Sequence, residues 1–191
     1  MESTDIKKAI ECIIFISDQP VSVDKLQQVF TEVERADIKK YLKELIHDWA
    51  ELGRGIILEE VAGGHQFRTD SAYGEHISNF NKRVKKFRLS RAALEVIAII
   101  AYKQPVTRVE VESIRGVDSS GVINALLERR ILEIKGRKEV IGKPFLYGTT
   151  SEFLEVFGLK SLNDLPTLKE IDEISKNLDP GISSLSEELT D

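Results

Sequence analysis

Three histidines, His47, His65 and His76, a single cysteine, Cys12, and 32 acidic side chains are the raw material for catalysis or metal binding in this 191-residue chain. The histidines show no metal-ligand spacing. There is no glycine loop with a lysine to cradle phosphate, and no nucleophile motif. The adjacent carboxylates Glu59 and Glu60 lie in an extended run, where neighbouring side chains point to opposite faces of a strand and cannot share a substrate. Cys12 has no second cysteine to pair with, and its apolar helical surroundings predict a buried, inert thiol. The residues therefore point to a non-catalytic protein with no metal site and no cofactor.

The remaining chemistry is charge. Residues 1–80 carry a net −6, residues 81–88 a net +5, residues 89–150 a net +3 and residues 151–191 a net −7, so a positive middle separates two acidic ends. Lys82, Arg83, Lys85, Lys86 and Arg88 can neutralise phosphates, as can the cations between Arg129 and Lys143, although a solvated face is the alternative for such runs. Arg108, Glu112 and Arg115 recur at i, i+4 and i+7, one stripe of a helix. That stripe is either a surface ion-pair ladder contributing tenths of a kcal/mol or, beside Tyr102, part of a protein interface, where Tyr and Arg are favoured.

The elements that must position these residues are most legible over 89–150. Ser90 is a candidate N-cap for a helix that is apolar on nearly every side over residues 92–101. Pro105 ends it, and Thr107 with Glu110 forms a capping box that starts a second helix, running from Arg108 to about Ile114. Val109, Val111 or Ile114 commits one face of this helix to the core, leaving Arg108, Glu112 and Arg115 outward. After a turn and a cap at residues 115–120, Val122, Leu126, Leu127 and Ile131 recur at helical spacing. Two β-type runs follow, residues 131–140 and 145–149, turned at Ile141-Gly142-Lys143-Pro144. Three helices and a hairpin make a winged helix-turn-helix.

Residues 1–71 repeat the pattern. A first helix over residues 5–16 carries Ile6, Ala9, Ile10, Ile13 and Ile14. A second runs over residues 23–30, and a third over residues 36–52 has Trp49 as a core anchor. Two strands, residues 56–61 and 65–69, are turned at Gly63-Gly64. Gln19-Pro20-Val21-Ser22 recurs as Gln104-Pro105-Val106-Thr107, an offset that marks a tandem domain. Residues 72–88 form a basic connector, with Ile77, Phe80, Val84 and Phe87 at helical spacing predicting a helix packed on one face. The domains read as 1–71, the connector 72–88, a second winged helix 89–150, a docked extension 151–166 and an acidic, disordered tail 167–191. In the extension Ser151 caps a short helix carrying Phe153, Leu154 and Phe157, aromatics beyond what a complete winged helix requires. The fold class expected is mainly α with small β wings (α+β), two winged helix-turn-helix domains plus a short C-terminal helical extension.

Winged helices most often place the start of the third helix in the major groove. Here that start is Asp118-Ser119-Ser120-Gly121-Val122-Ile123, with no Arg or Lys before Arg129, and Glu32, Glu34 and Asp37 lead the third helix of the first domain. Neither can make the bidentate guanine contacts of sequence readout. DNA binding is expected to be weak and non-specific at most. No apolar run approaches the roughly 20 residues of a membrane span, and the acidic start Met1-Glu2-Ser3-Thr4-Asp5 is unlike a signal peptide. A cytoplasmic protein is expected, with no membrane partner.

The stretches AALEVIAIIAYKQPVTRVEVESIRGV and LLERRILEIKGRKEVIGKPFLYGTTSEFLEVFGLKSLNDLP closely resemble the segregation and condensation protein B (ScpB) family, bacterial condensin accessory subunits. The resemblance covers residues 89–166 nearly without gaps, with small departures such as Phe145 before Leu146-Tyr147. It is looser at Ile10-Glu11-Cys12-Ile13-Ile14-Phe15 and Gly53-Arg54-Gly55-Ile56, and absent from the last 25 residues. It implies a non-enzymatic homodimer, paired chiefly through the first domain, that binds the kleisin ScpA and through it the SMC ATPase. That assembly acts at the nucleoid in chromosome condensation and segregation during cell division. With the resemblance, the kleisin surface is expected at Tyr102, Arg108, Glu112, Arg115, Phe153, Leu154 and Phe157. The alternative is a tandem winged-helix DNA-binding transcriptional regulator.

Overall fold

The first core is built by helical spacing. Ile10 and Ile14 on α1 (Ser3–Ile16), Leu26 on α2 (Val23–Val29), and Ile38, Leu42 and Leu45 on α3 (Arg35–Glu51) are buried together with Leu58 of a following strand. Each such side chain contributes about 1.5–3 kcal/mol on full burial, which fixes how the three helices meet. Trp49 lies at the edge of this core, its ring 4.8 Å from that of Phe67 and its Nε1 donating to Glu11 Oε1 at 2.7 Å. The computed structural model describes residues 3–80, 89–167 and 169–170. The chain divides into two units, Met1–Arg88 and Leu89–Asp191.

The wing of the first unit is the antiparallel pair β1 (Ile56–Val61) and β2 (Gly64–Thr69). The turn is Ala62-Gly63, both at positive φ (49° and 71°), a two-residue hairpin matched to strand twist. The expected turn at Gly63-Gly64 is thus one residue late. Gly64 instead pairs with Val61 inside the sheet, where a Cβ would stand 2.8 Å from the Pro20 carbonyl carbon. That close approach exists because Val21 bridges to β2, exchanging two backbone hydrogen bonds of 2.9 Å with His65. A 3-10 turn (Ser71–Tyr73) leads into α4 (Gly74–Phe80). Phe80 is 89% exposed, against the expectation that it packs; Val84 and Phe87 lie outside the described residues.

In the second unit Ser90 caps α5 (Arg91–Lys103) by accepting from the Ala93 amide. The capping box at Thr107 and Glu110 opens α6 (Arg108–Arg115), as its sequence dictates. α7 (Ser120–Glu128) follows, then β4 (Leu132–Arg137) and β5 (Phe145–Thr149). The sequence hides a further strand, β3 (Val106–Thr107), which pairs with β5 so that the sheet order is β3-β5-β4. Two residues are too few to show a period. The tandem repeat marks their role, since Val106 pairs with Tyr147 as Val21 pairs with His65. β4 stops at Arg137, short of the expected Val140, after a register shift between Ile134 and Gly136. The core joins Val96, Ile97 and Ile100 of α5 to Val111, Ile123, Leu126, Ile131, Leu132 and Phe153.

Thr150, not Ser151, caps α8 (Ser151–Phe157), accepting from the Phe153 amide at 3.2 Å. Leu154, Leu159 and Leu165 pack on the core, so the extension is docked. Where the sequence reading begins a disordered tail, Thr167 and Glu170 form a reciprocal cap: the Glu170 carboxylate accepts from the Thr167 amide at 2.7 Å, and Thr167 Oγ1 accepts from the Glu170 amide at 3.3 Å. Residues 171–191 lie outside the described ones.

Candidate interaction surfaces

The stripe on α6 divides. Gly116, in the left-handed region at φ 71°, turns the chain so that Ser119 comes back over the last turn of α6. The Arg115 side chain is therefore only 8% exposed, and its guanidinium donates to Glu95 Oε2 at 3.1 Å and to Ser119 Oγ at 2.7 Å. The expectation that Arg115 faces outward is corrected: α5 and the start of α7 cover the end of the helix, and a long guanidinium side chain reaches both. Glu112 Oε1 accepts from the Ser119 amide at 3.1 Å and lies 3.6 Å from Arg108 Nε. Since Ser119 makes no side-chain cap of its own, Glu112 satisfies the start of α7 from a neighbouring helix. Arg108 donates to Ser120 Oγ at 2.9 Å. Val109, one of three candidates for the core face, is 64% exposed, and Val111 takes that place.

The aromatic residues separate by depth. Phe153 is 2% exposed and belongs to the core, so it is not the surface residue expected. Thr150 starts α8 one residue early, and Phe153 on its first turn packs into the core cluster. Phe157, one turn on and 41% exposed, stacks at a tilt against Phe153 with centroids 4.9 Å apart. Leu154 is half-buried against the core. Tyr102 is tied to the end of the extension, its hydroxyl donating to the Pro166 carbonyl at 2.6 Å. Burial, and then the charge of Glu170, push that hydroxyl's pKa above its ordinary value. Of the seven residues, Tyr102, Arg108, Glu112, Leu154 and Phe157 reach solvent while the Arg115 side chain and Phe153 are covered, and apart from Tyr102 they fall into two groups, Arg108, Glu112 and Arg115 around the start of α7 and Phe153, Leu154 and Phe157 on α8.

For phosphate binding, Lys82, Arg83, Lys85, Lys86 and Arg88 lie outside the described residues. On the wing Lys138 pairs with Glu110 at 2.6 Å, Lys143 approaches Glu139 at 4.0 Å, and Lys135 pairs with Glu133. Arg137 lies 4.0 Å over the Phe145 ring. At the start of α7, Ser119 is fully buried and the Asp118 carboxylate accepts from Ser120, so this turn presents an acid where base readout needs a donor.

One surface escaped the residue-level reading. Phe15, Ile16 and Val29 are 72%, 77% and 61% exposed, and Val29 joins Ile13, Ser17, Val21 and Lys25 in lining an open groove of about 400 Å³. Cys12 is exposed on the same helix, not buried. The signal was available: Cys12, Phe15 and Ile16 fall off the Ile6–Ile10–Ile14 face of α1, yet two of them are large and apolar. Among the described residues no group of three or more His, Cys, Asp or Glu side chains is placed to hold a metal, and no helix is long and apolar enough to cross a membrane.

Two three-helix units, each with its own wing and its own core, define a tandem winged-helix protein. The profile of the segregation and condensation complex subunit ScpB family matches residues 8–168, spanning both units. This chain belongs to that family. Segregation and condensation protein B of Myxococcus xanthus is 50% identical over 175 residues, covering 91% of this chain and 53% of that protein. The chain therefore spans about half the length of that relative. The protein of the same name from Syntrophotalea carbinolica is 45% identical over 176 residues, covering 92% of this chain and 88% of its own. The crystal structure of ScpB from Mycobacterium tuberculosis is 28% identical, covering 83% of this chain and 98% of that one, with a TM-score of 0.40.

Proposed function

We propose that the chain works as a non-catalytic subunit of the bacterial SMC complex, homodimeric through its first unit, binding the kleisin ScpA through its second and reaching the SMC ATPase through ScpA. Its role is chromosome condensation and segregation. The observation that carries this reading is the family match across both units. The exposed Phe15, Ile16 and Val29 support the dimer, since a monomer gains nothing by leaving three large apolar side chains in water. Tyr102, Arg108, Glu112, Leu154 and Phe157 are the kleisin-facing residues, and Arg115 and Phe153 hold them in place. An aromatic anchor with a mixed-charge rim fits the composition of protein interfaces. The regulator alternative is disfavoured by the acidic start of α7.

Calorimetric titration with the kleisin from the same organism tests the reading. Phe157→Ala and Tyr102→Ala should each weaken binding by about 1–4 kcal/mol while leaving the melting temperature nearly unchanged. Unchanged affinity in both variants, with folding intact, removes this surface; no complex at micromolar concentration removes the kleisin itself.

A further inference from the structure

The first unit carries a hole and a knob side by side. The open groove of about 400 Å³ runs between the end of α1, which lines it with Ile13, and α2, which lines it with Lys25 and Val29; the buried Val21 lines it between them. Ile16 stands next to it. It follows Ile13 at i+3, so the two are neighbours on the surface of α1, and it is 77% exposed. Phe15, by contrast, leans edge-on against the Phe67 ring, with centroids 6.2 Å apart. The groove is also charged at its rim. Asp18 and Lys25 both line it, and neither forms an ion pair among the described residues.

We propose that the occupant of this groove is a second copy of the chain, and that the two chains exchange Ile16: each inserts it into the partner's groove, against Val29, and sets its Asp18 toward the partner's Lys25. This pairing rests on the dimer reading above and assigns the residues that meet. A two-fold contact is isologous, so if Ile16 of one chain meets Val29 of the other, the reverse contact is made as well. A face with a knob beside a hole, and one acid and one base on the same rim, is complementary to itself. An unrelated partner would have to supply each of these features separately. A second copy supplies them all by symmetry. Filling the groove takes Ile16 and Val29 out of water together, twice in each dimer.

Charge exchange between two full-length variants tests the pairing, read by sedimentation at micromolar concentration. Ile16→Asp and Val29→Lys each put a charge into both contacts of a like pair, and both positions are exposed, so each variant should stay folded and sediment as a monomer. Mixed in equal amounts, they should associate about ten-fold more tightly than either alone, because one contact of the mixed pair is native and the other joins the new carboxylate to the new ammonium. The reversed pair, Ile16→Lys with Val29→Asp, should do the same. Mixtures that associate no more tightly than their components, or a Val29→Lys chain that dimerises as the wild type does, overturn the exchange while the wild-type dimer stands, and leave the groove to another occupant such as a kleisin segment. A wild-type chain that sediments as a monomer removes the dimer and the exchange with it.

Discussion

A charged side chain in this protein is read best by what covers it. Arg115 shows this most clearly, since its 8% exposure and its bonds to Glu95 and Ser119 make it a tie among α5, α6 and α7. Removing it leaves Glu95 facing that tie with only Arg91, 3.3 Å away on the solvent side. Arg115→Ala should therefore lower stability by about 2–3 kcal/mol, less than the full penalty of a wholly buried pair because Glu95 is itself 25% exposed. Chemical denaturation checks this, and a change below half a kcal/mol would contradict it. Glu110 makes the complementary case. The Lys138 ammonium, and then the amide and hydroxyl of Thr107, hold its carboxyl down at about 2 from 4.5. The stabilisation from a depressed carboxyl is fully present above pH 4.5 and is lost as pH falls toward 2. The Glu110 side chain is 43% exposed, so the contribution is below about 1 kcal/mol. The melting-temperature gap between the wild-type chain and Lys138→Met should be present at pH 6 and close by about pH 2.

Among the elements, α7 and the wing occupy the positions that read DNA in many winged helices, and here both are occupied with internal work. Ser119 and Ser120 serve Arg115 and Arg108, and Lys138 serves Glu110. Any DNA binding should then rest on phosphates alone. Fluorescence anisotropy with two unrelated duplexes should give equal, weak affinities that fall steeply between about 50 and 200 mM salt. A preference of a hundred-fold for one duplex at physiological salt would return the protein to the regulators. The hairpin of the first unit shows how elements constrain one another. Its turn sits at Ala62-Gly63 because Gly64 is needed inside the sheet, against the backbone of Pro20 and Val21.

For the molecule as a whole the question is association. Phe15 and Ile16, exposed at 72% and 77%, are the largest uncovered apolar side chains of α1. A pair of chains meeting on this face would bury them together with Val29. Sedimentation of the full-length chain at micromolar concentration should give a dimer, and Phe15→Asp with Ile16→Asp should give a folded monomer. A wild-type chain that sediments as a strict monomer would remove the dimer. The alternation of charge, acidic over residues 1–80 and 151–191 and basic between, adds a salt dependence to whatever the chain assembles with.

The sequence alone determined the helices of the two units, the caps at Ser90 and Thr107, and the family. Periodicity and capping are local, so Thr107-x-x-Glu110 and the row Ile38, Leu42, Leu45 could be read without neighbours. It also carried the repeat, through Gln-Pro-Val-Ser and Gln-Pro-Val-Thr. Tertiary structure decided which side of each helix meets another. Arg108 and Arg115 share a stripe, but only the last turn of α6 lies beneath the chain entering α7, so one is at the surface and the other is not. Phe153 and Phe157 are a turn apart on the same side of α8, and the core closes over the first turn but not over the second, so one is buried and the other lies at the rim. Cys12, Phe15 and Ile16 sit in an apolar run that reads as core, yet α2, α3 and β2 cover only the opposite face of α1. The length and apolar pattern of a segment say that it has a buried face. Only the packing of other segments against it says where that face ends.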